Sequence, residues 1–445
     1  MNKYFPFYKR NLKLAFPIIL SQIGQVLVQQ VDTMMVGYVG TTELAASAFA
    51  NSIFLIGMVI VMGFTFGITP IVGQSVAKSN KIILSKILTN AFFINIIFAI
   101  IISIALYILS FFFINMGQEA RVVILAKPYF FTLVLSIVPL IIFFTLKQFA
   151  EGIGNTKHAM YITILSNVLN IILNYILIFG KFGFSEYGLL GAGIATLISR
   201  IFMALGFLFI FYYNKVYKLY FRRINISSFN KVYITKLFVV GIPISMQILL
   251  EVLAFALTAI MAGWLGVIPL AAHQIAIGLA SVSFMIVVGV GSATTIRVSH
   301  QLSHKDYKGL IMASKASIHI ILAFMGLTSI TFFILRAWLP ILYTNDQAVI
   351  ELASKLLIAA AIFQLFDGLQ IVMVSILRGF SDVKHAMVYA FIAYIMINLP
   401  LGYYLSFELN FGIYGLWVGI IVGLGAASLL FYWRFRTLFQ KLKNK

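Results

Sequence analysis

Three carboxylates stand where hydrocarbon is expected: Asp32, Glu251 and Asp367, each inside a long apolar run. An ionisable side chain at the centre of a membrane helix costs about 2.5–3.5 kcal/mol on insertion scales. Each of the three must therefore be hydrated, paired, protonated or ligated. Their neighbours recur at helical spacing. Gln22, Gln25, Gln29 and Asp32 step by 3, 4 and 3, and Gln247, Glu251 and Thr258 by 4 and 7. Gln364, Asp367 and Gln370 step by 3, and Asn167, Asn170 and Asn174 by 3 and 4. Such steps place side chains on one helix face, and polar stripes line a bundle interior or a water-filled cavity. Gln22, Gln25, Gln29, Gln247 and Gln364 are accordingly read as cavity lining. The blander reading is that amides only tie helices together, at ~0.6 kcal/mol per contact. It suits a single Gln or Asn better than an unpaired carboxylate. Arg200, the one base read inside a span, can pair with Asp32, whereas Glu251 and Asp367 show no basic partner in the sequence. Clusters of carboxylate, amide and hydroxyl oxygen suit hard cations, not zinc or copper. A desolvated carboxylate can be neutralised by a proton as well as by sodium.

The elements that carry these residues must cross a membrane. The chain of 445 residues is 62% hydrophobic and 10% charged, with mean hydropathy +1.03, against roughly 25% charged for a soluble domain. A crossing helix needs about 20 mostly apolar residues. Twelve such spans fall near 14–36, 49–72, 88–114, 128–149, 159–179, 188–213, 236–261, 273–296, 312–339, 354–376, 386–407 and 412–433. The fold class is thus an all-α integral membrane protein of twelve transmembrane helices. The basic N-terminal segment leads into a run that soon meets Gln22 and Gln25, which reads as a retained first span and not a signal peptide. The absence of cysteine excludes a disulfide framework and thiolate metal sites.

Charge orients the spans. With the N-terminus cytoplasmic, 26 of the 32 Lys and Arg fall in cytoplasmic segments, including the run Lys215, Lys218, Arg222, Arg223, Lys231 and Lys236 and a basic tail ending at Lys445. Arg121, Lys127, Lys181, Arg336 and Lys355 fall outside. That asymmetry follows the positive-inside rule. Both termini are expected in the cytoplasm, with the net charge of +20 facing anionic lipid and no nucleic acid partner.

The chain also repeats itself. MVGYVGTTELAA at 35–46 aligns with MAGWLGVIPLAA at 261–272, an offset of 226 shared by Pro17 and Pro243. KHAM at 157–160 recurs at 384–387 and YGL at 187–189 recurs at 414–416, both offset by 227. One offset, shifted by a single residue over nearly the whole repeat, is poorly explained by chance similarity among apolar helices. Six spans per copy is an even number, so the two six-helix lobes form a parallel, pseudo-symmetric repeat. The expected domains are 1–213, a cytoplasmic linker 214–235, and 236–445. Transporters built this way place substrate and ion sites at the interface of the repeats. The residues alone lead to a cation-coupled secondary transporter and not an enzyme.

The segments VDTMMVGYVG around Asp32, LLEVLAFALTAIMAGWLG around Glu251 and FQLFDGLQIVMVSILRGFSD around Asp367, with VSHQL at 298–302 and NVLNIILN at 167–174, resemble multidrug and toxic compound extrusion (MATE) transporters of the NorM-like branch. The likeness runs over essentially the whole chain. It implies export of amphipathic, often cationic, drugs and dyes across the cell membrane, a bacterial inner membrane, driven by inward Na+ or H+ with no bound cofactor. It implies a first cation site at Asp32, Asn170, Asn174 and Thr196, and a second at Glu251 and Asp367. It also implies a hinge at Pro17. Asn174 stands where some relatives carry a second aspartate, which leans toward sodium. Phe363 stands where the pattern often has tyrosine, so a hydroxyl is missing beside Asp367. The expected partners are small amphipathic molecules and membrane lipid, with the chain acting as a monomer.

Two other functions compete. A lipid-linked-saccharide flippase shares the two-lobe plan, but holding a pyrophosphate calls for more intramembrane Arg or Lys than Arg200 alone. An intramembrane enzyme needs clustered His or an activated nucleophile. Five of the six histidines fall near span ends or loops, and His319 lies alone.

Overall fold

The computed structural model describes residues 3–78, 81–225 and 229–443. Residues 226–228 of the expected linker and Lys445 of the basic tail lie outside them. Among the described residues there are helices and no strands. Twelve of the helices are long and apolar enough to cross a membrane. They are α1 (Phe5–Val39), α2 (Thr41–Gly73), α3 (Lys81–Ser110), α4 (Ala120–Gly152), α5 (Lys157–Phe179) and α6 (Gly188–Tyr213), followed by α7 (Lys231–Trp264), α8 (Val267–Ser303), α9 (Tyr307–Leu335), α10 (Gln347–Gly379), α11 (Val383–Glu408) and α12 (Ile413–Lys441). Each contains most of one span read from the sequence. They run longer because hydropathy registers only the hydrocarbon layer, while helical backbone continues past it.

Proline explains where two helices break. α2 is interrupted at Gly67 and α4 at Ser136, with α-helical segments ending at Phe66 and Leu135. Those two residues lie four before Pro70 and Pro139. A proline removes its own N–H and clashes with that very carbonyl. The repeat-related positions, Ile296 and Phe366, are not proline, and α8 and α10 run unbroken. In α11 the chain widens into π-helix over Phe391–Asn398 and Tyr404–Glu408, on either side of Pro400. Pro17 and Pro243 lie in α1 and α7, whose helical course continues through them.

The chain forms two compact units. One is Leu20–Ser245. The other joins the residues through Ile19 to those from Met246 onward. The sequence boundaries 1–213, 214–235 and 236–445 follow the repeat, whereas the units divide inside α1 and α7. Local packing accounts for this. Asn11, at the start of α1, donates from Nδ2 to the Ala313 carbonyl and to Ser317 Oγ of α9, both at 2.9 Å. Ser245, in the first half of α7, donates to the Ile60 carbonyl of α2 at 2.8 Å. The division after Ile19 and after Ser245 falls two residues beyond Pro17 and Pro243, at the same 226-residue offset.

Within each unit the repeat is visible as packing. Thr69 Oγ1 donates to the Gln148 carbonyl at 3.0 Å, and Thr295 Oγ1 to the Ser375 carbonyl at 2.9 Å. A Cβ on Gly152 would stand 2.7 Å from Val72 Cβ and 3.1 Å from Thr69 O, and one on Gly379 2.7 Å from Val298 Cβ and 3.1 Å from Thr295 O. Without an aqueous hydrophobic drive, membrane helices associate through such close approaches of small residues. Gly152→Val and Gly379→Val should each lower the thermal unfolding temperature in detergent, at a cost of about 1–3 kcal/mol for overpacking. Equal melting of wild type and both variants would show that these contacts contribute nothing.

Candidate functional site

In the Leu20–Ser245 unit, α1 and α5 meet where Gly24 leaves room: a Cβ there would lie 2.7 Å from Asn167 Nδ2. One to two turns further on, Asn174 donates through Nδ2 to Asp32 Oδ1 in a short hydrogen bond and to Asn170 Oδ1 at 3.1 Å. Asn170 and Asn174 are buried, and Asn174 Oδ1 is left with no partner. Buried polar atoms are normally satisfied, so this carbonyl oxygen marks an open coordination position beside a carboxylate. Asp32 and Asn170 border a cavity of about 510 Å³ whose lining includes Gln25, Gln29, Asn51, Tyr129, Thr196 and Arg200. Thr196 shares that cavity. Gln22 is not among the residues that line it, although it shares the helical stripe, because the stripe drifts away from the cavity toward the start of α1.

Arg200 is not Asp32's ion-pair partner. Its Nη1 donates to Ser136 Oγ at 2.6 Å, and its guanidinium lies over the Phe54 ring at 5.2 Å. The two charges are close enough to interact, yet the hydrogen bond is taken by the hydroxyl at the break in α4. Ser136 Oγ in turn donates to the Leu133 carbonyl at 2.6 Å. A charge-assisted bond of this kind is worth about 1.5–3 kcal/mol. Ser136→Ala should therefore lower thermal stability by that order and free the guanidinium toward Asp32. A melting temperature equal to wild type would argue against the bond.

The second unit gathers its charges differently. Glu251 on α7 accepts from Gln247 Nε2 at 3.1 Å and from Gln370 Nε2 at 2.9 Å. Gln370 Nε2 also lies 3.5 Å from Asp367 Oδ1, and Gln370 Oε1 accepts from Tyr394 OH at 2.8 Å. Glu251 is 7% exposed and Asp367 3%, so neither is solvated by bulk water. Arg378 donates through Nη2 to Gln247 Oε1 in a short hydrogen bond, and its charge acts on Glu251. This corrects the sequence reading in which the acidic pair has no basic neighbour: the span read there ends at 376, but α10 extends to Gly379 and carries Arg378. Gln247 and Gln364 are buried within hydrogen-bonded clusters and do not border the cavity of the other unit. Gln364 lies apart from Asp367, accepting from Ser283 at 2.7 Å and Thr328 at 2.9 Å.

Sequence reasoning missed Tyr394 and Arg378. Both carried signals. Tyr394 is the 227-offset counterpart of Asn167, and Arg378 lies eight residues beyond Gln370, on the same helical stripe. Among the described residues no three His, Asp or Glu side chains come together as a metal-binding group. Each cluster instead combines carboxylate with amide, a donor set suited to a hard monovalent cation or a proton in transit.

The comparisons with known proteins agree with this plan. The MatE family model matches twice, over residues 17–176 and 243–404. The chain belongs to the MatE family. The two matched stretches begin 226 residues apart, the offset of the paired prolines. A relative, the multidrug resistance protein NorM of Photobacterium profundum, is 33% identical, covering 98% of this chain and 96% of that protein. The multidrug resistance protein MdtK of Pectobacterium atrosepticum is 31% identical, covering 98% and 97%. Among solved structures, the eukaryotic MATE transporter AtDTX14 matches with TM-score 0.88 at 20% identity, over 100% of this chain and 99% of that one. A variant of the Vibrio cholerae MATE transporter VcmN matches with TM-score 0.90 at 18% identity, over 99% of each. The MatE fold, twelve helices in two parallel repeats, is therefore that of this multi-pass membrane protein.

Proposed function

We propose that this MatE-family chain is a multidrug efflux transporter, an antiporter that exports amphipathic, often cationic compounds in exchange for inward Na+ or H+. The observation that carries the reading is the pair of carboxylate–amide clusters, one in each unit, held inside helices that must cross lipid. Family membership supplies the transporter class, and the named relatives supply the drug substrates. The basic charge distribution favours both termini in the cytoplasm of a bacterial inner membrane.

Mechanism follows from mutual exclusion at the carboxylates. A cationic compound taken up from the inner side neutralises them in place of the coupling ion. After alternating access, an arriving ion displaces it outward. Asp32 holds charge in the cavity, Asn170 and Asn174 offer amide oxygens beside it, and Thr196 adds a hydroxyl on the cavity wall. Glu251 and Asp367 hold the second cation, and Pro17 lets α1 bend. Each net charge moving inward gains about 2.3 kcal/mol per 100 mV, so one ion exchanged for a neutral compound can raise that compound's gradient by roughly fifty-fold at that potential. A monovalent cationic compound exchanged one for one is driven by the ion's concentration gradient alone. The flippase alternative is not supported: the two relatives at 33% and 31% identity are named multidrug resistance proteins. The chain is read as a monomer without cofactor.

The test is dye efflux from reconstituted vesicles, with sodium and proton gradients imposed separately. Efflux driven by either establishes the antiporter and names the ion. If neither moves dye, the reading fails.

A further inference from the structure

We infer that Arg378 is a resident cation of the second cluster, a positioning residue that holds Glu251 when the coupling ion is absent and limits that cluster to one monovalent cation. The inference rests on the antiport reading and adds a residue and a stoichiometry to it. It starts from the hydrogen-bond chain Arg378–Gln247–Glu251–Gln370–Tyr394, which is continuous from α10 through α7, back to α10 and on to α11. The amide of Gln247 sits between the two charges. Its oxygen accepts from the guanidinium and its nitrogen donates to the carboxylate, so each orients the other.

The charge inventory gives the stoichiometry. Glu251 and Asp367 carry two negative charges and Arg378 one positive, leaving a net charge of −1. One monovalent cation makes the buried cluster neutral. A second would leave an uncompensated charge in a low-dielectric interior, which is strongly unfavourable. Other charges near Arg378 are already committed. Asp382 is held by Arg434 Nε at 2.5 Å and by His385 at 2.6 Å. Arg378 Nε is buried and has no hydrogen-bond partner, so the guanidinium is anchored at one end only and has a free donor.

The repeat shows that packing alone does not require this charge. AEGIGNTKHAM at 150–160 aligns with LRGFSDVKHAM at 377–387, so Glu151 is the counterpart of Arg378. The glycine after each packs identically against its neighbouring helix. Glu151 is neutralised within its own helix by Lys147 at 3.8 Å. The counterpart of Lys147 is Val374, which leaves Arg378 no such partner along α10. One scaffold position thus carries opposite charges, and in the second unit the charge is directed to the acidic cluster.

The experiment measures dye efflux from vesicles against concentration of the coupling ion, sodium or proton, whichever gradient drives the wild type. Arg378→Gln should lower the half-saturating concentration at least tenfold and slow maximal turnover, because an ion at a cluster of charge −2 is released late. Arg378→Lys, which keeps the charge, should return the half-saturation toward wild type, as a purely structural defect would not. An unchanged or raised half-saturation in a folded Arg378→Gln protein overturns the inference. If that variant does not fold, ion counting decides. In an Asp32→Asn background the coupling ion bound at saturation should number one per chain, and two would overturn the inference. Failure of both gradients to drive wild-type efflux instead removes the antiport reading, and this inference with it.

Discussion

Asp32→Asn should abolish gradient-driven efflux, lowering the rate at least 100-fold to the leak of protein-free vesicles, while expression and melting temperature stay close to wild type. The substitution is nearly isosteric, and the new amide can present its oxygen to Asn174 Nδ2, the donor that Asp32 already receives. The fold therefore loses little. The cavity loses its one carboxylate, however, and keeps Arg200 on its wall. The guanidinium's charge is then opposed by no carboxylate on the cavity wall, which repels a sodium ion and a cationic dye alike. A 100-fold loss corresponds to about 2.7 kcal/mol of transition-state stabilisation. The measurement is vesicle efflux at fixed gradient beside a melting curve. Wild-type efflux would remove Asp32 from the mechanism and leave it a helix-tying residue.

Asp367→Asn should have an effect of similar size by a different route. Gln370 Nε2 is shared between Glu251 at 2.9 Å and Asp367 at 3.5 Å, so the variant can keep its oxygen toward that donor and the cluster holds together. What changes is the sum of charge: one carboxylate now faces one guanidinium. With nothing left to neutralise, the coupling ion should require at least a tenfold higher concentration for half-saturation, and efflux at ordinary gradients should fall to background. Dye binding in the other unit's cavity, followed by fluorescence without a gradient, should persist. Loss of that binding as well would mean that the two clusters do not act separately.

Much of this was legible in the chain. The twelve spans followed from hydropathy, and the repeat from KHAM, YGL and the paired prolines. The partners Asp32, Asn170 and Asn174 shared stripes that helical geometry turned inward. What periodicity could not supply was which helix a stripe would meet. Gln22 and Gln29 lie on one face, yet only Gln29 borders the cavity. Gln364 and Gln370 flank Asp367 symmetrically in sequence, yet only Gln370 joins it. Arg378 was hidden for a related reason. Hydropathy ended the span before it, although its helix continued. The breaks at Gly67 and Ser136 were readable from Pro70 and Pro139, but the seat that Ser136 gives Arg200 depends on a neighbouring helix and has no local signature.

The matched glycines at 152 and 379 have a consequence for how this molecule tolerates change. Two halves descended from one ancestor keep the same joints and have parted company in their charges. In a saturation-mutagenesis map, tolerance at Thr69, Gly152 and Pro17 should therefore forecast tolerance at Thr295, Gly379 and Pro243. Asp32, Glu151 and Gln25 should forecast nothing about Thr258, Arg378 and Glu251. Plotting one half of the map against the other would sort architecture from chemistry residue by residue, with the molecule serving as its own reference.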